Sequence, residues 1–407
     1  MTQTKLDHLL TENVDVARHR AATTFDQMVG PAPKIILFGS GELGRRTWAG
    51  AKKVGLNVVC FSDNNSKLWG TEIDGIQILS PEEAVQFFPE GVFVSTIWSA
   101  YVGHPVEEIR QQLASHAAVK VISFIYLYWR YPETFLPYWR CDLPHKTLEQ
   151  FELASAAFSL WADEASQKEY FAQLFWRVTG DASQFTPPVK QDQYFPDDIF
   201  KLTDHEVFVD VGAFDGDTLK VFLDKCGGKF DHYYAYEPDP FGCQKLEEFV
   251  QATSAPVADR LTIQPVGIGK KSEKIKIQTP GVYFRILYPE EAQACSPNGK
   301  AFYIDVDSQT LDGLALQHPP TFVKMDVEGF EPDVIFGAKE LIKKHNPVIA
   351  ISIYHQFDHI WRLPLAVRAL SDNYRFYLRP HFHAGWELIC YAVPKDRVLL
   401  DQKLKNH

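Results

Sequence analysis

Five places in the second half of the chain carry groups suited to ligand binding and proton transfer, each at the end of an apolar run. Asp210 and Gly212 close Val207–Val211, and Glu237 closes His232–Tyr236, 25 residues after Gly212. Gly267 and Ile268 close Leu261–Val266. Asp326, Glu328 and Glu331 end the run that begins at Phe322, and His355 ends the run Val348–Tyr354. Short runs of β-branched and aromatic residues bounded by glycine or acids read as buried strands. In an open parallel sheet, ligands bind outside the carboxyl ends of the strands. A single acid there is ordinarily a solvated loop carboxylate. Successive strand ends that each carry a ligand-binding group point to a site.

The loop after the first run holds Asp210, Asp215 and Asp217 and no Lys or Arg. A phosphate-binding loop wants backbone N–H groups clear of anions, and usually a lysine. An acidic loop better suits a ligand with a cation and hydroxyls, as S-adenosyl-L-methionine has. Glu237 can accept both ribose hydroxyls of an adenosine, and adenine would lie at Gly267 and Ile268. Methyl transfer from a sulfonium needs in-line approach and little covalent help, so positioning supplies much of the acceleration. An acceptor hydroxyl is a poor nucleophile and calls for a base. His355 is the first choice, being suited to proton transfer near neutrality, and Asp326 the second. Asp326, Glu328 and Glu331 could instead hold a divalent cation that orients vicinal hydroxyls. Alternatively, Glu328 and Glu331 cap the helix that follows.

These groups require a sheet to position them, and the α/β pattern occurs twice. Lys34–Phe38 is a strand that runs into Gly39-Ser40-Gly41-Glu42-Leu43-Gly44. A helix follows, then the strand Asn57–Phe61, then Asp63, 24 residues after Gly39. That is the order of a dinucleotide-binding unit, with Asp63 near a ribose hydroxyl. The glycines equally serve close helix–strand packing with no ligand. Residues 1–30 read as an amphipathic helical arm and residues 31–145 as a Rossmann-like, nucleotide-binding-like domain of about four strands. Residues 146–200 read as a helical linker. The aromatic stretch Tyr126–Leu143 reads as an interdomain plug or a stacking surface. From residue 201 to 396 the pattern runs again, with an inserted hairpin of Ile275–Gln278 and Ala301–Val306. The expected fold class is α/β: two doubly wound Rossmann-like domains joined by a helical linker.

VFVDVGAFDGDT, YAYEPDP, FVKMDVEGFEPDVIFGA and the following ISIYHQ resemble the FkbM-type family of S-adenosylmethionine-dependent methyltransferases over roughly residues 200–395. The resemblance implies that the second domain has a class I methyltransferase fold. It implies an O-methyltransferase acting on a hydroxyl, often of a sugar or a glycosylated natural product. The family's cofactor loop falls on Asp210, Gly212, Ala213 and Gly216, and its ribose acid on Glu237. Its acceptor-side acids fall on Asp326, Glu328 and Glu331, and its strand-end histidine on His355. The chain departs from many members after the third strand, where Gln264-Pro265-Val266-Gly267 stands in place of an Asn-containing segment. LFGSGELGRRTW and FSDNNSKLWGTEIDGI in the first half are similar to nucleotide-binding-like domains attached to glycan-modifying enzymes. Two other functions compete: an NAD(P)-binding oxidoreductase using Gly39, Gly41, Gly44 and Asp63, and a non-catalytic sugar-nucleotide-binding protein. The first half shows no hydride-transfer centre.

The 407 residues allow two or three domains. Acids outnumber Lys and Arg by 52 to 41, and the basic residues are scattered, so no nucleic-acid partner is expected. Six widely spaced cysteines without a Cys-x-x-Cys fit free thiols in a reducing compartment. The first residues do not form a signal peptide, and no apolar run approaches the roughly 18 residues of a spanning helix. The expectation is a soluble, cytoplasmic protein with a small-molecule or glycan acceptor and no membrane partner. A homo-oligomer is compatible with the sequence.

Overall fold

The computed structural model of the protein describes residues 3–114, 119–279, 286–287 and 302–399. Cys295, Ala301 and the first two residues of the arm lie outside these. The chain divides into two compact units: Met1–Ser155, Lys168–Pro188 and Phe382–Trp386 form the first, and Ala156–Gln167, Val189–His381 and Glu387–His407 the second. The expected linker at 146–200 is thus not a body of its own. Its apolar residues are drawn into the two cores. Leu148 and Val178 pack with Ala17 in the first unit, while Tyr194, Phe195, Ile199 and Phe200 enter the core of the second.

The first unit is built on strands β1 (Ile35–Phe38), β2 (Val58–Ser62), β3 (Glu72–Ile73), β4 (Ile76–Leu79), β5 (Val92–Ser95) and β6 (Lys120–Ser123), in the spatial order β3-β4-β2-β1-β5-β6. All neighbours are parallel except β3 and β4. The sheet has six strands rather than about four because a short hairpin extends its edge. Asp74 and Gly75 join that hairpin with φ of 47° and 80°, as a tight two-residue turn requires. Gly44 brings the helix Glu42–Lys53 against the preceding loop: a Cβ there would stand 2.0 Å from the Gly39 carbonyl oxygen. The helix Val14–Val29 lays Ala21, Phe25 and Val29 into this core. Tyr128, Trp129 and Phe135 of the aromatic stretch are buried in the same core, with Tyr128 and Phe135 stacked at 4.5 Å. These rings are core of the first unit rather than an interdomain plug.

The second unit contains β7 (Val207–Val211), β8 (His232–Tyr236), β9 (Leu261–Gln264), β10 (Gly267–Ile268), β11 (Glu273–Thr279), β12 (Ile286–Leu287), β13 (Phe302–Gln309), β14 (Phe322–Met325), β15 (Val348–Ser352), β16 (Tyr374–Pro380) and β17 (Leu388–Pro394). Seven of them form a sheet in the order β16-β17-β15-β14-β7-β8-β9. It is parallel except for β17, which runs against β15 and β16. Every residue of β7, β14 and β15 is buried, as expected of strands covered on both faces. From β7 the chain winds outward through β8 and β9, then returns to β14 on the other side of β7. That reversal opens a crevice at the carboxyl ends of β7 and β14. The inserted strands β10, β13, β11 and β12 make a separate small sheet in which β11 and β13 pair antiparallel. Among the described residues no helix is long and apolar enough to cross a membrane.

Candidate functional site

The crevice is shaped by one glycine. Gly212, at φ 81°, follows β7, and a Cβ on it would stand 1.9 Å from the Asp326 carbonyl oxygen. Only glycine lets the ends of β7 and β14 meet this closely. The chain then turns through Ala213 and Gly216 (φ 87°) into the helix Asp217–Cys226. Glu237, just beyond β8, is almost fully buried. Its Oε2 accepts from the Phe214 N–H at 2.8 Å and its Oε1 from the Asp239 N–H at 2.8 Å. Burial pushes its carboxyl up to about 7.

A narrow cleft of about 50 Å³ opens here. Gly212, Glu237, Gly267, Ile268, Asp326 and Glu328 all line it, together with Val211, Tyr236 and Ile277. Six of the positions expected from sequence are thereby brought together from four segments of chain. Ala213 and Gly216 do not line it; they are buried and build the turn behind it.

Asp210 was expected to contact the cofactor, and the structure corrects this. Its carboxylate is fully buried within the sheet, where β7 and β14 set it beside Lys324. Lys324 Nζ lies 3.0 Å from Asp210 Oδ1, and Tyr233 donates its hydroxyl to Asp210 Oδ2 at 2.5 Å. Lys324 also donates to the Gly212 carbonyl. Asp210 therefore acts on the loop only through Lys324. Burial opposes the charge on Lys324, and Asp210 outweighs it, holding the ammonium protonated.

The ends of β14 and β15 meet in an acidic cluster. His355 is buried, with Nδ1 2.8 Å from Glu331 Oε1. Its Nε2 lies 3.5 Å from Asp326 Oδ1 and 3.6 Å from Glu328 Oε2. Burial works against a charged imidazole, but Glu331, Glu328 and Asp326 together raise His355 to about 10. At neutral pH it is an imidazolium with no lone pair to accept a proton, so the first choice of base is corrected: His355 is a cation that positions the carboxylates around it.

Glu331 also departs from its expected role. It does not line the cavity. Its Oε1 accepts from the N–H groups of Val327 and Gly329 at 3.0 and 3.3 Å, and its Oε2 lies 3.3 Å from His359 Nδ1. It is a fully buried clamp on the turn before the helix Glu331–Gly337. Within that turn Glu328 adopts φ 54° and Gly329 φ 107°, a left-handed pair that turns the Glu328 carboxylate towards the cavity. Burial pushes Glu328 up to about 7, with Asp326 and Glu331 adding to the rise against His355. Asp326 Oδ1 and Glu328 Oε2 receive no hydrogen bond. For a cation, Asp326, Glu331 and, only after giving up its proton, His355 each offer one ligand atom, all within 4.8 Å of one another.

Residues the sequence reading did not single out surround this cluster. Tyr194 donates to Asp326 Oδ2 at 2.8 Å, Tyr354 to Glu387 Oε1 at 2.9 Å, and Gln193 Nε2 to Glu387 Oε2 at 2.6 Å. Burial, reinforced by Asp326, raises Glu387 to about 7. Tyr354 stood inside the quoted motif beside His355. Gln193 and Tyr194 lie in an irregular segment with no periodicity to mark them.

In the first unit, Gly39, Gly41, Gly44 and Asp63 form the expected strand–turn–helix, but the acid turns inward. Asp63 Oδ2 accepts from the Ser40 N–H at 2.8 Å and the Ser40 hydroxyl at 2.6 Å. The carboxylate assigned to a ribose thus closes its own loop, and none of these four residues lines the cavity of that unit.

Residues 210–378 match the family model of the methyltransferase FkbM domain. Over those residues the chain carries a methyltransferase FkbM domain. Residues 32–121 match a second model, C2185-like, N-terminal. A crystal structure of methyltransferase FkbM from Methylobacillus flagellatus KT has the same fold, with a TM-score of 0.74 at 20% identity over 94% of this chain and 99% of that one. UDP-D-quinovosamine 4-dehydrogenase from Vibrio fischeri overlaps 22% of this chain and 76% of its own at 20% identity, with a TM-score of 0.18. A putative rRNA-methylase from Clostridium thermocellum overlaps 48% of this chain and 88% of its own at 8% identity, with a TM-score of 0.29. No curated protein matches the chain. The FkbM domain makes the protein an S-adenosylmethionine-dependent methyltransferase.

Proposed function

We propose that the FkbM domain methylates a hydroxyl of a sugar or glycosylated metabolite, with Glu237 holding the ribose of S-adenosyl-L-methionine and Glu328 taking the proton of the acceptor. The observation that carries this reading is the single cavity shared by Glu237, Gly212, Asp326 and Glu328. The donor set fits an adenosine. Each Glu237 oxygen accepts one backbone N–H and keeps acceptor capacity for a ribose hydroxyl. Ile268 and Ile277 offer apolar surface for the base. When bound, the cofactor supplies an electrophilic methyl group. Glu328 is suited to the base role because its side chain lines the cavity and burial pushes its carboxyl up to about 7. His355 keeps Asp326 and Glu328 at fixed separation.

Glu237→Ala removes charge-assisted hydrogen bonds to the ribose and is expected to weaken S-adenosylhomocysteine binding by about 1–3 kcal/mol. Isothermal calorimetry measures this directly. No binding by the wild type, or equal binding by the variant, refutes the assignment of Glu237.

The convergence of Asp326, Glu331 and His355 favours one second reading, in which a divalent cation orients the acceptor hydroxyls. The two readings part under chelation. With Glu328 as the base, methyl transfer persists in excess EDTA. With a cation it stops, and added Mg²⁺ or Mn²⁺ restores it.

A further inference from the structure

The first unit holds a cavity that the methyltransferase reading does not use. It measures about 430 Å³, within the roughly 300–1,000 Å³ common for ligand clefts. Its place follows from topology. Ile97 and Trp98 follow β5, Ser123 ends β6 and Phe124 follows it, so it sits at the carboxyl ends of parallel strands, where α/β sheets bind ligands.

Its lining narrows the chemistry. Trp98, Phe124, Tyr126, Trp176 and Phe185 contribute aromatic surface, and Trp98, Tyr126 and Phe185 remain partly exposed. Glu107 and Asp181 contribute carboxylates. The lining includes one arginine, Arg110, and no lysine. Arg110 already donates to Glu107 Oε2 at 2.6 Å. Glu107 and Arg110 neutralise each other, so a phosphate or carboxylate would meet the charge of Asp181 with no guanidinium outside an ion pair to offset it. That disfavours a dinucleotide or a sugar nucleotide. It agrees with Asp63 being turned into its own loop. Flat apolar surface beside carboxylate acceptors suits a ring that presents C–H groups on its faces and hydroxyls at its edge.

We propose that this cavity is a binding site for a neutral saccharide, which packs its ring on the aromatic wall and donates hydroxyls to Glu107 and Asp181. The site is separate from the methyltransferase cavity and stands or falls independently of it.

The test is saturation-transfer NMR on the full-length protein, using methyl glucosides, galactosides, mannosides and rhamnosides as probes, with NAD⁺ and UDP-glucose alongside. Ala182 lines the cavity, so Ala182→Trp fills it; Phe185→Ala removes part of the aromatic wall without filling it. At least one methyl glycoside is expected to receive transfer, and each variant to lose at least half of it. The thermal midpoint and the affinity for S-adenosylhomocysteine should match the wild type in at least one variant, which separates loss of the site from loss of the fold. Three results overturn the proposal: no transfer to any glycoside, transfer untouched by both variants, or NAD⁺ or UDP-glucose binding that the same variants abolish.

Discussion

Glu328→Gln is expected to lower turnover by about 10²–10⁴-fold, the usual contribution of a positioned base. The affinity for S-adenosylhomocysteine should stay within about threefold, because the loss falls on the transition state rather than on cofactor binding. Glutamine preserves the size of the side chain and its place in the left-handed turn, so the change isolates the ionisable oxygen. The pH profile supplies a second readout. Only ionised Glu328 can accept a proton, and burial lifts its carboxyl to about 7. Wild-type activity should therefore fall as the pH drops through about 7, and the residual activity of the variant should lose that limb. Any glycan that the wild type methylates serves for the assay. A variant that keeps wild-type turnover removes Glu328 from the role of base.

Lys324→Met is expected to have the largest effect on stability, about 3–5 kcal/mol in urea unfolding, because it strands a buried carboxylate. Lys324 and Asp210 are 3.0 Å apart with side chains only 4% and 0% exposed. Methionine fills similar volume, so the loss reports the missing charge rather than a cavity. The Gly212 carbonyl loses its ammonium donor in the same variant, so the affinity for S-adenosylhomocysteine should fall as well. Adding Asp210→Asn removes the stranded charge and should restore part of the stability but not the donor to Gly212. A loss below about 1 kcal/mol would show that Asp210 is protonated in the fold and that the pair is not an ion pair.

The parts of this architecture that depend on local sequence were readable before the structure. The run Val207–Val211 ending in Gly212, the acid at Glu237 and the acids from Asp326 are each set by neighbours in the chain, and the parallel sheet brings their ends to one edge. The direction in which a side chain faces was not readable. Asp210 and Glu331 look like ligand acids in the chain. Each is buried because a non-local partner waits for it: Lys324 across the sheet for one, His355 from the next strand for the other. The same non-local charges turn His355 from a base into a cation. Gln193, Tyr194 and Glu387 enter the cluster from segments with no repeating pattern. The β3–β4 hairpin is different, since Asp74-Gly75 between Glu72–Ile73 and Ile76–Leu79 is a recognisable turn signal. Its first strand spans only two residues, too short for alternation to show.

The central claim is that Glu237 and Glu328 face one ligand from opposite sides of the same cavity. The measurement that tests it most directly is a crystal structure of the full-length protein soaked with S-adenosylhomocysteine. Density is expected in the β7–β14 crevice, with both ribose hydroxyls on the Glu237 carboxylate and the sulfur on the side of Asp326 and Glu328. Density that leaves Glu237 without ribose contact, or a sulfur turned away from Glu328, would contradict it.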